Sequence, residues 1–214
     1  GSMFAVSIEV AGEDRDRVLS LPSGTPAVSP PRTHVQRELD DGGLWLADWG
    51  DVQRESYWEP FSGELHTLYD HFQLPPRYRR AAADGLELIN LPQAAGFTET
   101  PPGRLVLLPW DGSKGEVLAE DIYPWYRRLA DGRIITTRPT SDGFKGGDPV
   151  DLVLITGDSE RVIDRQVILL GPLLAGDGEP DKGYFRIIGD LLLYAVRDDA
   201  GDRTGVWAVS LSQL

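Results

Sequence analysis

The chain has 214 residues, with 34 acidic against 21 basic side chains and a formal net charge of −13 at pH 7. This charge opposes binding to nucleic acid and favours a basic protein or a cationic ligand as partner, and it also serves solubility. Because the sequence contains no cysteine, disulfide bonds, thiolate zinc sites and cysteine nucleophiles are excluded.

The first predicted elements in chain order are two strands, Phe4–Val10 and Arg17–Leu21, on either side of a polar turn. After them, a motif that ends in an Asp-Gly or Gly-Asp pair recurs. Its four copies are Arg37–Leu44, Tyr78–Leu86, Tyr126–Arg133 and Tyr184–Leu191, of which the second and third match most closely, with one deletion. Because glycine tolerates positive φ, such a pair between apolar runs predicts a β-hairpin with a two-residue loop.

Further strands follow each motif, so that the repeated unit contains about four strands. The strands that come second in the unit are Leu44–Trp49, Leu86–Leu91, Arg133–Arg138 and Leu191–Arg197. Those that come third are Leu105–Trp110, Leu152–Thr156 and Val206–Leu211. Those that come fourth are Glu116–Ala119 and Arg161–Gln166. One segment, residues 63–80, is also compatible with a short helix because its apolar residues have helical spacing.

This pattern, over about Phe4–Leu211, resembles the blades of β-propeller repeat proteins of the TolB-like or WD-repeat kind. The resemblance implies an all-β fold, a small β-propeller of four or five four-stranded blades. It also implies a rigid ring whose loops are available for binding or for catalysis. An irregular antiparallel β-sandwich is the alternative arrangement of the same strands.

Two clusters of aromatic residues lie close to predicted loops, whereas most of the six tryptophans fall inside predicted strands, where they pack in the core. The first cluster is Tyr57, Trp58 and Phe61, and the second contains Tyr123 and Trp125. Large aromatic side chains near loops are typical of binding hot spots and of surfaces that face carbohydrate. We therefore predict these five residues as binding residues.

An acidic loop supplies three further candidate binding residues, Asp177, Glu179 and Asp181. Loops rich in carboxylates can bind calcium, but this one lacks the spacing of an EF-hand, and Asp and Gly also form ordinary turns. His66 and His71 are five residues apart, which places them on different faces of either a strand or a helix. We accordingly expect no metal ion and no cofactor.

No catalytic motif stands out, since the sequence has neither the Gly-x-Ser-x-Gly elbow nor the HExxH pattern. The sequence therefore favours a non-enzymatic protein-binding module. Its most concrete form is an acidic inhibitor or immunity-type protein that covers a basic partner such as a bacterial toxin. The excess of Arg over Lys, 18 to 3, is typical of bacteria with GC-rich genomes. The alternative is a hydrolase or a carbohydrate-binding protein with its site at one mouth of the ring.

Residues Gly1-Ser2 before Met3 are typical of a cloning scar followed by a start methionine, so we expect residues 4–214 to form a single domain. No apolar run approaches the roughly 20 residues that a membrane-spanning helix needs. The segment after Met3 lacks the positive charges that open a secretion signal. These features predict a soluble protein with no membrane partner, and they favour the cytoplasm.

Overall fold

The computed structural model describes residues 2–10, 13–21, 26–39, 41–48, 54–69, 79–90, 103–122, 125–140, 148–169, 185–197 and 201–214. In these ranges the chain forms 18 β-strands and, after the last strand, one turn of 3-10 helix at Leu211–Gln213. The prediction of an all-β fold is therefore confirmed.

The described strands belong to four sheets. The first sheet has the order β1 (Ser2–Val10), β2 (Glu13–Leu21), β3 (Pro26–Val28). The second has the order β4 (Thr33–Glu38), β5 (Leu44–Asp48), β6 (Arg54–Trp58), β7 (Leu65–Tyr69). The third consists of β8 (Arg79–Ala81), β9 (Gly85–Asn90), β10 (Gly103–Pro109) and β11 (Glu116–Ile122), also in chain order.

The fourth sheet contains seven strands. Its first four follow one another in chain order: β12 (Arg127–Arg128), β13 (Ile134–Pro139), β14 (Val150–Thr156) and β15 (Ser159–Leu169). The others are β16 (Phe185–Ile188), β17 (Leu191–Arg197) and β18 (Gly205–Ser210). Strand β17 pairs with β16 and β18, and its end pairs with the end of β15 through Arg197–Ile168 and Val196–Leu169.

The strands that follow the repeated motif form close to where the sequence predicts them, as β5, β9, β13 and β17. The segment that was also compatible with a helix begins with a strand, β7, and residues 70–78 lie outside the described ranges. Strands β3, β6 and β7 were not predicted, and neither was the pairing of β15 with β17.

Two of the four hairpins differ from the prediction in the length of their loops, whereas Ile188 and Leu191 are paired on either side of the predicted two-residue loop Gly189-Asp190. Gly132 donates its N–H to the Leu129 carbonyl (3.0 Å), and Leu129 donates to the Arg133 carbonyl (2.7 Å), which closes a three-residue loop. Leu39, Gly42 and Gly43 repeat the same two bonds. Gly132 has φ 87° and Gly42 has φ 84°, as in a type I turn that ends with a left-handed residue. The predicted two-residue loop is wrong for these two copies of the motif.

The chain divides into two compact units, residues 1–88 with 106–117 and residues 89–105 with 118–214, which we call unit 1 and unit 2. Among its described residues, unit 1 has one hydrophobic cluster around Leu44 and Leu46 and another around Leu86 and Trp110. The larger cluster of unit 2 includes Ile135, Leu152, Leu192 and Tyr194. Each fully buried aliphatic side chain of this kind contributes about 1.5–3 kcal/mol by leaving water. The single domain over residues 4–214 remains a prediction.

Candidate binding surface

Three loops of unit 1 meet around the side chain of Tyr57. They are the turn between β4 and β5, the loop between β6 and β7, and the turn between β10 and β11. We call this area the Tyr57 surface. It consists of Asp41, Tyr57, Glu64, His66 and Asp111, and we include Phe61 because it belongs to the β6–β7 loop. The β6–β7 loop is closed by hydrogen bonds from Glu59 N to Glu64 O (2.8 Å) and from Gly63 N to Glu59 O (2.9 Å).

Tyr57 is the centre of this surface and is held from several sides. Its ring lies 5.9 Å from the His66 ring and 6.2 Å from the Trp110 ring. Its hydroxyl donates a hydrogen bond to Asp41 Oδ2 (3.3 Å). Trp110 is itself buried, and its indole N–H donates to the Ala82 carbonyl (3.0 Å). The half-buried Tyr57 ring is therefore fixed before any ligand arrives.

The electrostatic character of the Tyr57 surface is acidic. Burial is the largest cause that raises the pKa of Tyr57 to about 12, and the charge and hydrogen bond of Asp41 and the charges of Glu59 and Glu64 contribute to the same rise. The phenol thus stays protonated in neutral solution and acts as a hydrogen-bond donor, not as a base. His66 Nε2 lies 2.7 Å from Glu64 Oε1.

Asp111 adds a further carboxylate to this surface. Hydrogen bonds from the Ser113 hydroxyl and amide lower the pKa of Asp111, and the nearby His66 lowers it as well. Because Asp111 and Glu64 are exposed, their charges face solvent. Carboxylates beside an ordered aromatic ring attract cationic groups, which include the side chains of Lys and Arg.

The structure brings two of the predicted binding residues to this surface, Tyr57 and Phe61, and Phe61 is 47% exposed. Trp58 is 4% exposed and packs in the core with Leu44 and Leu46. Adjacent residues of a strand point to opposite faces, which explains why Tyr57 and Trp58 separate. Trp58 therefore occupies the position of a core residue.

The second predicted cluster belongs to unit 2. Trp125 is half-buried and packs against the core of that unit, and its carbonyl accepts a hydrogen bond from the Thr136 hydroxyl (3.4 Å). The other predicted binding residues, Tyr123, Asp177, Glu179 and Asp181, lie outside the described ranges. Their role remains a prediction.

Four residues of the surface were missed as binding residues by the sequence analysis: Asp41, Glu64, His66 and Asp111. Asp41, Glu64 and Asp111 come from three loops that are far apart in the sequence, and His66 lies on strand β7. The repeat carries a partial signal, since the turns that join the first to the second strand and the third to the fourth strand of an antiparallel four-stranded unit lie at the same end of that unit. Asp41 and Asp111 both sit in such turns and cap them, with Oδ1 accepting from Gly43 N and Ser113 N respectively (both 2.8 Å).

One group of side chains has the composition of a catalytic triad but not its geometry. Ser29 is fully buried, its hydroxyl lies 3.1 Å from the Thr33 carbonyl, and it accepts a hydrogen bond from Asp16 N (2.9 Å). His34 Nδ1 faces Asp16 Oδ1 at 3.4 Å. Because the Ser29 hydroxyl binds backbone groups and not the imidazole, this cluster stabilises a turn and does not form a nucleophile.

The described part of the chain contains neither a metal-binding cluster nor a membrane-spanning helix. No group of three or more His, Asp or Glu side chains there is arranged to hold a metal ion. Among the same residues there is no helix with the length and apolar character that crossing a membrane requires.

Comparison with protein-family models and with characterised proteins gives no match to this sequence. Among solved structures, the chain is similar to the acylaminoacyl peptidase of Pyrococcus horikoshii, with a TM-score of 0.57 and 12% identity over 92% of this chain. It is also similar to the β-propeller domain of the Trilobed protease from Pyrococcus furiosus, with a TM-score of 0.53 and 10% identity over 97% of this chain. The chain spans 34% of the peptidase and 64% of the Trilobed protease chain. At these identities the similarity shows the fold alone, and it confirms the predicted β-propeller.

Proposed function

We propose that this chain is a non-enzymatic protein-binding module and that its Tyr57 surface binds a basic partner. The observation that carries the proposal is the combination of an immobilised aromatic ring with exposed carboxylates on one surface of unit 1. Tyr57 is fixed by Asp41 and by its ring neighbours, while Glu64 and Asp111 direct negative charge to solvent.

The two aromatic side chains of this surface suit a protein interface. An ordered tyrosine loses little conformational freedom on binding, and Tyr is among the residues that contribute most to interfaces. Phe61 is 47% exposed at the β6–β7 loop, so a partner would remove a large apolar group from water. The net charge of −13 adds attraction at long range, which raises the rate of association with a basic protein.

The most concrete form of this proposal is an acidic inhibitor or immunity-type protein of bacterial origin that covers a basic partner such as a toxin. The acidity of the chain and its 18 Arg against 3 Lys motivate this form. Under the same proposal the protein works in the cytoplasm, without a nucleic acid or membrane partner. Under this proposal Asp177, Glu179 and Asp181 stay predicted binding residues.

A second candidate function is hydrolysis, with the chain as the propeller part of a larger enzyme. Its support is the similarity to a peptidase and to a protease, of which this chain spans only a part. A carbohydrate-binding site around the aromatic side chains belongs to the same alternative. Binding of N-acylated peptides by the purified protein, or glycan binding that Phe61→Ala abolishes, would favour this candidate over the first.

The test of the first proposal is capture of a partner from native lysate at low salt, followed by variants of the Tyr57 surface. Glu64→Gln with Asp111→Asn removes two charges with almost no change of shape. We expect this double variant to weaken binding of the captured basic protein about tenfold at low ionic strength, mostly through slower association. Surface plasmon resonance over a salt series measures both rates.

The matched control is Asp158→Asn with Asp202→Asn, which removes the same charge from exposed positions of unit 2. We expect it to weaken binding about twofold, through the overall field alone. The proposal that the Tyr57 surface binds the partner is contradicted if the two double variants lose the same affinity. It is also contradicted if the captured material contains no basic protein.

A separate prediction concerns Phe61. Phe61→Ala is expected to weaken binding of the same partner about tenfold, and this loss should lie in faster dissociation because an apolar contact is removed. The thermal midpoint should not change, since Phe61 is 47% exposed in the free protein. An unchanged dissociation rate would place Phe61 outside the interface.

A further inference from the structure

His66 lies among the acidic groups of the Tyr57 surface. Its Nε2 atom is 2.7 Å from Glu64 Oε1, and its ring centre is 5.9 Å from that of Tyr57, the residue with which it pairs across β6 and β7. Its other ring nitrogen, Nδ1, lies close to the β10–β11 turn, 3.5 Å from the place where a Cβ on Gly112 would be. The imidazole therefore has Glu64 beside one nitrogen and the turn that carries Asp111 beside the other.

The charged groups that the structure describes around this imidazole come from three connections between strands of unit 1. The β6–β7 loop supplies two carboxylates, the β4–β5 turn supplies one, and the β10–β11 turn supplies one together with an exposed ammonium group. In that order they are Glu59, Glu64, Asp41, Asp111 and Lys114. Glu64 and Asp111 interact with the imidazole itself, whereas Asp41 and Glu59 act on Tyr57. The imidazole is thus set in an excess of negative charge.

The charge state of His66 decides how much of this negative charge a partner can use. Because a carboxylate only accepts hydrogen bonds, the contact with Glu64 places an N–H on Nε2. Neutral His66 leaves the charges of Glu64 and Asp111 uncompensated. An imidazole gains a positive charge between pH 8 and pH 5, while Asp111 stays ionised because hydrogen bonds from Ser113 lower its pKa. Protonated His66 then competes with any cationic side chain of a partner for the same two carboxylates.

The exposure of these side chains distinguishes His66 from the other described histidine. The His66 side chain is 26% exposed and that of Glu64 is 58% exposed, so both solvent and a partner can reach them. His34 Nδ1 also faces a carboxylate, Asp16 Oδ1 at 3.4 Å, but the Asp16 side chain is only 4% exposed. A cationic partner can therefore compete with the proton at His66 and not with the proton at His34.

We propose that protonation of His66 releases a basic partner from the Tyr57 surface, so that the complex forms near pH 8 and dissociates near pH 5.5. This regulation rests on the proposed function, since it acts on the same surface. By linkage, a cation bound to Glu64 and Asp111 expels the proton of His66, and the proton weakens binding of the cation by the same factor. Arg and Lys keep their charge over this pH range, so the change in affinity originates in this chain and not in the partner.

The test uses a probe whose own charge does not change with pH, a rhodamine-labelled peptide of alternating Gly and Arg. Fluorescence anisotropy at about 20 mM salt measures its affinity at pH 5.5 and at pH 8, because low salt leaves the surface charges largely unscreened. We expect the original protein to bind the peptide about tenfold more weakly at pH 5.5 than at pH 8. His66→Gln, which removes the titrating group, should change by less than about twofold over the same range.

Two further variants separate the charge of the imidazole from its shape. His66→Lys carries a positive charge at both pH values and should bind the peptide weakly at both. His34→Gln is the matched control, because it removes a histidine whose carboxylate neighbour is buried. This variant should keep the full pH dependence of the original protein.

A measurement on the unaltered protein makes the result independent of the fold of any variant. Calorimetry near pH 6 in two buffers with different enthalpies of ionisation counts the protons exchanged when the peptide binds. We expect binding to release protons from the original protein, because the bound cation expels the proton of His66. The same measurement on His34→Gln should give the same release, and on His66→Gln almost none.

The variants of the Tyr57 surface show at pH 8 whether the site or only its regulation is wrong. If Glu64→Gln with Asp111→Asn binds the peptide as tightly as the control Asp158→Asn with Asp202→Asn, or if the original protein does not bind it at about 1 mM, both are wrong. If that double variant loses affinity while His66→Gln still weakens about tenfold at pH 5.5, the surface stands and His66 does not regulate it. Equal affinity of the original protein at the two pH values, or binding without release of protons, likewise overturns the regulation.

Discussion

Replacement of Arg79 by methionine is expected to lower the free energy of unfolding by about 3–5 kcal/mol at neutral pH, because it leaves a buried charge without its partner. Arg79 on β8 forms an ion pair with Glu55 on β6, and the Glu55 side chain is 3% exposed. Glu55 also accepts a hydrogen bond from the Trp45 indole (2.5 Å), and the Arg79 guanidinium lies 5.8 Å from the Trp45 ring. Methionine keeps most of the volume of arginine but neither its charge nor its donors.

The loss of unfolding free energy in Arg79→Met should increase as the pH rises. Burial raises the pKa of Glu55 above its ordinary value of 4.5, against the opposing effects of Arg79 and Trp45. A carboxyl whose pKa is raised in the folded state contributes its full stability below its unfolded pKa, and that contribution is lost as the pH rises through the folded pKa. Without Arg79 the pKa of Glu55 rises further. The difference in unfolding free energy between the original protein and Arg79→Met is therefore expected to be small near pH 5 and large near pH 8.

Urea unfolding followed by tryptophan fluorescence at both pH values measures this deficit. The control is Arg104→Met, which breaks an exposed pair with Glu120 (3.2 Å, side chains 62% and 59% exposed). It should cost less than about 1 kcal/mol at either pH. The double variant Glu55→Gln with Arg79→Met should recover part of the loss at pH 8. If the loss of unfolding free energy in Arg79→Met is the same at both pH values, Glu55 does not remain as a buried, unpaired charge in the variant.

The strands near the repeated motif could be predicted because local signals are strong there. The apolar runs after Gly85, Gly132 and Gly189 are bounded by turn residues, and each becomes a strand of the expected kind. The pairing of β15 with β17 has no such signal, since it joins segments that are not consecutive hairpin partners and involves two residues on each strand. Strand β3 has three residues, which is too short for an alternating pattern to be detected.

The candidate site could be predicted only in part, for a geometric reason. Tyr57, Trp58 and Phe61 form one cluster in the sequence, but β6 sends Tyr57 and Trp58 to opposite faces of its sheet. Because no strand was predicted at β6, the placement of Tyr57 and Trp58 on opposite faces was not predicted either. His66 faces Tyr57 across the pairing of β6 with β7, and Asp111 comes close to His66 from a different sheet. No local sequence pattern encodes the approach of Asp111.

The two best-matching copies of the motif place Gly85 and Gly132 at corresponding positions, yet the structure uses the two glycines differently. Gly132 has φ 87° and no atom within 4 Å of the place where a Cβ would lie. Gly85 has no left-handed φ, but a Cβ there would overlap the Leu108 carbonyl oxygen and lie 2.8 Å from Leu107 Cδ1. Gly132 is thus required by the turn, whereas Gly85 is required by the close approach of β9 and β10.

Gly85→Ala is accordingly expected to destabilise the protein by about 2–3 kcal/mol, since backbone and core atoms must move to admit the methyl group. Gly132→Ala should cost about 1–2 kcal/mol, through the left-handed conformation alone. Asparagine separates the two causes because it tolerates that conformation. Gly132→Asn should be nearly neutral, while Gly85→Asn should be at least as harmful as Gly85→Ala. If urea unfolding shows that asparagine rescues position 85 as well as position 132, the two glycines share one role and the close contact of β9 with Leu108 does not determine stability.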